Sequence, residues 1–145
     1  MDKGVQEDKR KLFLKRARHF NLSFIVSLSV FLLVSVALYR FFSMPVSPKL
    51  LVYVYAIEVA SALLGYGIAF AIRKAMLPVR VSDDAYWSYT AVRRYFWSYV
   101  VLCLPFFLAF LFYLFAGNLS SLLLGYVLSV AGLIAFRPRE GDVVL

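Results

Sequence analysis

Long apolar runs separated by short polar segments dominate the chain, and their lengths predict membrane-spanning helices. The first run, Leu22 to Tyr39, carries no charge over 18 residues. The second run, Leu50 to Ile72, holds one charge in 23 residues, Glu58. A helix needs about 20 residues to cross the hydrocarbon core of a bilayer, so each run is long enough for one crossing.

The last apolar run is long enough for two crossings. It extends without a charge for 42 residues, from Tyr95 to Phe136, and is interrupted at residues 116–121, "AGNLSS", which favour a tight turn. Pro105 predicts a kink in the third helix. The runs lack the period-two alternation of barrel strands, so an all-α membrane protein is predicted. Its four helices would form two antiparallel hairpins, with spans at about 22–42, 50–72, 96–116 and 119–136.

The positions of the basic residues predict how these helices are oriented. Of the 16 lysines and arginines, seven precede the first span, five lie between the second and third, and two follow the fourth. Only Arg40 and Lys49 lie in the opposite connections. The positive-inside rule therefore places both termini in the cytoplasm, in a plasma or inner membrane. Residues 1–21 become a basic cytoplasmic or interfacial segment, 73–95 a cytoplasmic loop, 22–136 the transmembrane domain, and 137–145 a cytoplasmic tail.

The amino-terminal segment is predicted to be amphipathic. In "KRKLFLKRARHF", Leu12, Phe13 and Leu14 lie among basic residues, a pattern that suits a helix lying on anionic lipid headgroups before it turns into the membrane. The following apolar run is span-length and ends in "ALYRFF", so it is interpreted as a retained span and not as a removable signal. His19 has no second histidine to share a metal, which favours an interfacial role.

The middle loop offers a second candidate for chemistry. Ser82 can cap a helix whose first turn carries Asp83 and Asp84, because acids match the positive end of a helix. The alternative is that the two acids hold a divalent cation and a phosphate, as in a lipid-handling enzyme. An interfacial aromatic belt is predicted from Tyr86, Trp87, Tyr89, Tyr95 and Trp97.

Small residues recur every four positions on the second and fourth spans. Residues 58–66, "EVASALLGY", match residues 118–126, "NLSSLLLGY", at five of nine positions, which is compatible with duplication or with chance in an apolar sequence. Small side chains let helices approach closely in lipid, so these stripes predict helix-packing faces. The stripe residues are Ser61, Gly65 and Ala69 on the second span, and Ser121, Gly125 and Ser129 on the fourth, followed three positions later by Gly132.

Glu58 is the principal candidate site, because an ionisable residue within a span is rare and usually paired or functional. It lies 15 residues from Arg73, or about 22 Å along a helix, in the outer third of the core. One hypothesis pairs it with Arg40, or with tyrosine and serine hydroxyls such as those of Tyr55 and Ser61. A second makes it a carboxyl that binds and releases a proton or a cationic substrate. A third places it against another subunit.

Composition limits the function further. The chain is 63% hydrophobic and 18% aromatic, with a mean hydropathy of +0.79. Its net charge of +8 is explained by orientation and by anionic headgroups, so a nucleic-acid partner is not predicted. A single cysteine, Cys103, allows no intrachain disulfide.

No catalytic, cofactor or metal site is assigned from the sequence. The favoured function is therefore a non-catalytic helix-packing subunit or assembly factor, whose partners are the bilayer, anionic headgroups, and other membrane subunits or further copies of itself. The alternatives are an oligomeric small transporter or channel that uses Glu58, and a lipid-handling enzyme that uses Asp83 and Asp84.

Overall fold

The computed structural model describes residues 3–42, 45–81, 84 and 86–144, and 85% of these residues are helical. This confirms the predicted all-α class. The α-helices are α1 (Lys3–Ala37), α2 (Tyr39–Phe42), α3 (Pro48–Met76), α4 (Trp87–Val92), α5 (Phe96–Leu102), α6 (Leu104–Ala116) and α7 (Leu119–Ala135). Arg93–Tyr95 and Glu140–Asp142 are 3₁₀ turns, and two short strands are β1 (Val79–Arg80) and β2 (Val143–Val144).

Two helices, α1 and α3, are long and apolar enough to cross a membrane. A third candidate span consists of Trp87–Leu102 and Leu104–Ala116, two helical segments bent by 45° at a short break. Helix α7 is apolar but has 17 residues, about 26 Å of helix against a hydrocarbon core about 30 Å thick. The chain is thus a helical protein with two to three candidate spans, and the fourth span remains a prediction.

Helix α1 differs from the expected interfacial segment that turns into the membrane. It continues for 35 residues without a break, from the basic amino-terminal segment through the apolar run. Phe13 and Leu14 are buried against protein, whereas Leu12 is exposed. The ring of Phe13 lies 5.3 Å from that of Trp87 and 6.0 Å from that of Tyr95, centroid to centroid. Two members of the predicted aromatic belt, Trp87 and Tyr95, therefore line a protein core.

Local signals in the sequence explain where α3 and α7 begin. The Ser47 hydroxyl accepts a hydrogen bond from the Leu50 amide at 3.3 Å, and Pro48 occupies the first helical position, where its missing N–H is not needed. Gly117 ends α6 with φ 65°, a left-handed conformation that glycine adopts without strain. Asn118 then caps α7 by accepting from the Ser121 amide at 2.9 Å.

The basic end of the molecule is defined here as residues 3–21, 73–95 and 137–144, within the described parts of those ranges. There the carboxyl-terminal tail turns back onto the middle loop. Strand β2 pairs with β1 in parallel, so that Val79 lies opposite Val143 and Arg80 opposite Val144. The valines at 79 and 143 are buried in the same core as Phe13. The tail is thereby held against the segment that joins α3 to α4.

Candidate functional site

Glu58 lies on the buried face of α3, which packs against α5, α6 and α7. Only 1% of the residue is exposed, and neither carboxylate oxygen has a hydrogen-bond partner among the described residues. A buried polar group without a partner is destabilising, and such groups are infrequent in folded proteins. The arrangement therefore sets Glu58 apart from the packing residues around it.

Two of the residues expected to pair with Glu58, Tyr55 and Ser61, bond other groups, and the side chain of the third, Arg40, is outside the described part of the chain. The Tyr55 hydroxyl bonds the Ser120 hydroxyl at 2.6 Å, and the Ser61 hydroxyl donates at 2.7 Å to the backbone carbonyl of Glu58, not to its carboxylate. The backbone of Arg40 lies in α2, and its side chain is outside the described part of the chain. The structure therefore brings Tyr55 and Ser61 near Glu58 along α3 without joining either to its carboxylate.

The small residues of α3 lie where other helices approach. Ser61, Gly65 and Ala69 are all buried. A Cβ atom added to Gly65 would lie 3.0 Å from the carbonyl oxygen of Val101, so the backbones of α3 and α5 are in close contact there. A larger side chain at position 65 would push α5 away.

The glycines of α7 lie closer to neighbouring helices than Gly65 and Gly67 of α3 do. A Cβ atom added to Gly125 would lie 2.5 Å from the Ala109 Cβ and 2.8 Å from the Pro105 carbonyl oxygen. One added to Gly132 would lie 2.6 Å from the Tyr66 ring. Ser121 and Ser129 are fully buried. These residues are occupied in contacts within the chain.

Ser129 also compensates for the bend between α5 and α6. Cys103 separates the two helices, and Pro105, in the first turn of α6, has no amide hydrogen to donate. The Ser129 hydroxyl accepts a hydrogen bond from the Phe106 amide at 3.0 Å, in a buried position. The neighbouring helix thus satisfies a backbone donor at the bend, as membrane helices require.

Asp142, a residue that the sequence did not single out, organises the basic end. Its Oδ2 atom accepts from the Arg73 guanidinium at 2.7 Å, from the Tyr95 hydroxyl at 2.6 Å and from the Arg139 amide at 3.0 Å. Its side chain is 10% exposed and that of Arg73 is 16% exposed. One carboxylate therefore joins α3, the start of the third candidate span and the tail.

Arg73 extends this network to the end of α7. Its Nη1 atom donates to the carbonyl of Phe136 at 2.9 Å, and both Nη1 and Nη2 donate to that of Arg137 at 3.2 Å. The last carbonyls of a helix lack partners within the helix and carry partial negative charge, so a guanidinium satisfies both needs. Further along α7 from its carboxyl end, the Asn21 side chain donates to the Leu133 carbonyl at 3.0 Å and joins α1 to α7.

Of the two acids that the sequence singled out in the middle loop, only Asp84 lies within the described residues. Ser82 and Asp83 lie outside the described residues, so the predicted cap is not described. Asp84 is exposed, and its Oδ1 atom accepts from the Tyr86 amide at 2.9 Å. Within the described ranges, no group of three or more histidine, cysteine, aspartate or glutamate residues is arranged to hold a metal ion. No protein-family model, no curated protein and no solved structure matches this chain.

Proposed function

We propose that the chain crosses the cell membrane four times, with both termini in the cytoplasm. The basic end carries fourteen of the sixteen lysines and arginines of the sequence, which favours its retention on the cytoplasmic side. Helix α7 would be the fourth span, with the residues on either side of it supplying the few ångströms by which it is shorter than the hydrocarbon core. A reporter fused after residue 145 tests this orientation: alkaline phosphatase should be inactive there and green fluorescent protein fluorescent, and the reverse pattern would contradict it.

Within that topology, the chain acts as a non-catalytic subunit or assembly factor of a larger membrane complex. The observation that supports this function is the Asp142 network, which ties the ends of α3, α7 and the tail together. Such cross-links favour a rigid basic end that presents one fixed surface to a partner. Rigid surfaces bind with a smaller entropic penalty than mobile ones.

Partner helices would contact the outward faces of the bundle, because the small-residue stripes are occupied inside it. On α3, the side opposite Gly65 exposes large apolar side chains, including Tyr53 at 68%, Leu63 at 67% and Phe70 at 62%. These faces are compatible with lipid, with another subunit, or with a second copy of the chain.

Gentle extraction from the native membrane, followed by cross-linking and identification of companions, tests this function. We expect a stoichiometric companion with the wild type and its loss with Asp142→Asn, because the variant removes the charge that holds the basic end together. Glu140→Gln makes the same change of charge two residues away, at a side chain that is 72% exposed, and should keep the companion. Recovery of the wild type without any companion, or as a homo-oligomer that carries an ion flux, would contradict the proposal.

A proton-coupled or cation-coupled transporter is the second candidate, and the unpartnered carboxylate of Glu58 favours it. A buried carboxyl without a fixed partner is suited to binding and releasing a cation. In proteoliposomes with a pH gradient, this candidate predicts that Glu58→Gln folds normally and loses pH-dependent flux. Glu7→Gln, a change at the far amino-terminal segment, should keep the flux. Equal flux from both variants would exclude a coupling role for Glu58.

A further inference from the structure

A groove of about 540 Å³ lies at the basic end, between α1 and the segment formed by α4 and the following 3₁₀ turn. Its volume falls within the range of small-molecule sites in proteins, about 300 to 1,000 Å³. The lining residues are Leu12, Lys15, Arg16, His19, Phe20 and Ser23 from α1, and Tyr89, Val92 and Arg93 from the opposite wall. The groove is separate from Glu58 and from the Asp142 network.

The groove carries a concentration of positive charge. Lys15, Arg16 and Arg93 line it, and none of the described lining residues is acidic. The Arg16 guanidinium is fixed in place, because it lies 3.9 Å from the centre of the Tyr89 ring and donates to the Ser88 hydroxyl. An anion entering the groove would therefore meet a cation that is already oriented.

The remaining walls are apolar and lead towards the membrane. Leu12, Phe20 and Val92 line the groove beside the cations, and the apolar run of α1 begins at Leu22, next to its inner end. A cationic rim combined with an apolar wall at the start of a candidate span matches an anionic headgroup with an acyl chain attached. A soluble phosphate would use the rim and leave the apolar wall in contact with water.

We propose that this groove binds one anionic phospholipid from the bilayer leaflet at the basic end, with its phosphate among Lys15, Arg16 and Arg93. The upper part of an acyl chain packs along Leu12, Phe20 and Val92. The site differs from a general attraction of basic residues to headgroups, because it has a fixed stoichiometry and defined walls. The site rests on the proposed crossing of the membrane by α1, but it requires neither a partner subunit nor ion transport, so loss of lipid binding and loss of a companion are separate outcomes.

Native mass spectrometry tests the proposal on full-length protein released from nanodiscs that contain equal amounts of phosphatidylglycerol and phosphatidylcholine. The wild type should retain one phosphatidylglycerol in preference to phosphatidylcholine. The double variant Lys15→Gln/Arg93→Gln should lose this preference by roughly fivefold for each cation removed. Lys3→Gln/Lys74→Gln removes the same charge from exposed positions of the basic end outside the groove, and should keep the preference of the wild type.

Two further measurements keep the proposal falsifiable. We expect both double variants to fold, because all four side chains are exposed. A cooperative thermal unfolding transition in each variant checks this. Soluble glycerol phosphate, added at the concentration of the lipid, should not displace the bound phosphatidylglycerol. An unchanged preference in Lys15→Gln/Arg93→Gln, an equal loss in the control variant, or displacement by glycerol phosphate would each overturn a phospholipid site.

Discussion

At the residue scale, Glu58 places a carboxyl in the bundle with no partner among the described residues. Replacing it with leucine removes a buried polar group and keeps a similar volume. We therefore expect Glu58→Leu to raise the free energy of unfolding by about 1 to 3 kcal/mol, the usual penalty of an unsatisfied buried group. Thermal or denaturant unfolding in detergent measures the change.

Glu58→Gln is the matched control, because it removes the ionisable group but keeps a polar side chain, and it should be less stabilising than leucine. Loss of stability in both variants would show that the carboxyl has a partner. In that case, Arg40→Leu combined with Glu58→Leu should recover part of the loss, since a charge left alone in a membrane is unfavourable.

Ser129 provides a second residue-scale prediction. Ser129→Ala leaves the buried amide of Phe106 without its acceptor, so we expect a loss of about 1 to 3 kcal/mol in the free energy of unfolding. Ser27→Ala is the control: its exposed hydroxyl donates to the carbonyl of Ser23 in the same helix, and its removal should change stability little. Equal stability of the two variants would mean that another group satisfies the amide.

Single residues differed in how far the sequence could reveal them. Glu58 was found because a charge inside a long apolar run is conspicuous. Asp142 was missed because an acid in a short polar tail usually faces water, and its partners Arg73 and Tyr95 are 69 and 47 positions away. A signal that could have revealed it is the apolar end of the tail, "VVL", which directly follows it.

At the element scale, the contact between α6 and α7 depends on the absence of a side chain at Gly125. Gly125→Ala places a methyl group 2.5 Å from the Ala109 Cβ, so the two helices must separate. Overpacking of this kind costs about 1 to 3 kcal/mol. A lower unfolding temperature in detergent, and cysteine cross-links that form less readily between α6 and α7, would measure it.

Gly67→Ala is the control for that substitution, because nothing lies within 4 Å of a Cβ added there. Alanine also has the higher helix propensity, so Gly67→Ala should stabilise α3 by about 0.5 to 1 kcal/mol. Destabilisation by Gly67→Ala, or tolerance of Gly125→Ala, would contradict the helix packing described above.

Elements set by local chemistry were the predictable ones. The start of α3 follows from Ser47 and Pro48, and the turn before α7 follows from Gly117 and Asn118. The uninterrupted course of α1 was not predictable, because the sequence around Phe13 fits a lipid surface as well as a protein core. Strands β1 and β2 are two residues each, too short for any periodic pattern, and depend on pairing between distant segments.

At the scale of the whole molecule, the Asp142 network holds the tail against the bundle. Asp142→Asn weakens its bond to the partly buried Arg73 guanidinium and leaves that cation poorly compensated, so we expect a loss of about 3 kcal/mol in the free energy of unfolding. We expect the tail to detach locally before the bundle unfolds. This opening should appear as faster amide hydrogen exchange at Val81, whose amide donates to the Val144 carbonyl at 3.1 Å.

Glu140→Gln is again the matched control. Glu140 lies 3.7 Å from Arg10, and its side chain is 72% exposed, where ion pairs contribute little. Its amide exchange and stability should therefore stay close to those of the wild type. Exchange at Val81 that is equally slow in Asp142→Asn would show that the strand pairing alone holds the tail.

Helix α1 is longer than a membrane crossing requires. Its 35 residues measure about 52 Å, so where it crosses a hydrocarbon core of about 30 Å, roughly 20 Å stands outside. A helix can match a thinner bilayer by tilting. When an unbroken helix tilts, the part that extends beyond the membrane moves with it. The part of α1 at the basic end carries Phe13, which is packed against Trp87 and Tyr95. A change in membrane thickness that tilts α1 would therefore strain this aromatic contact.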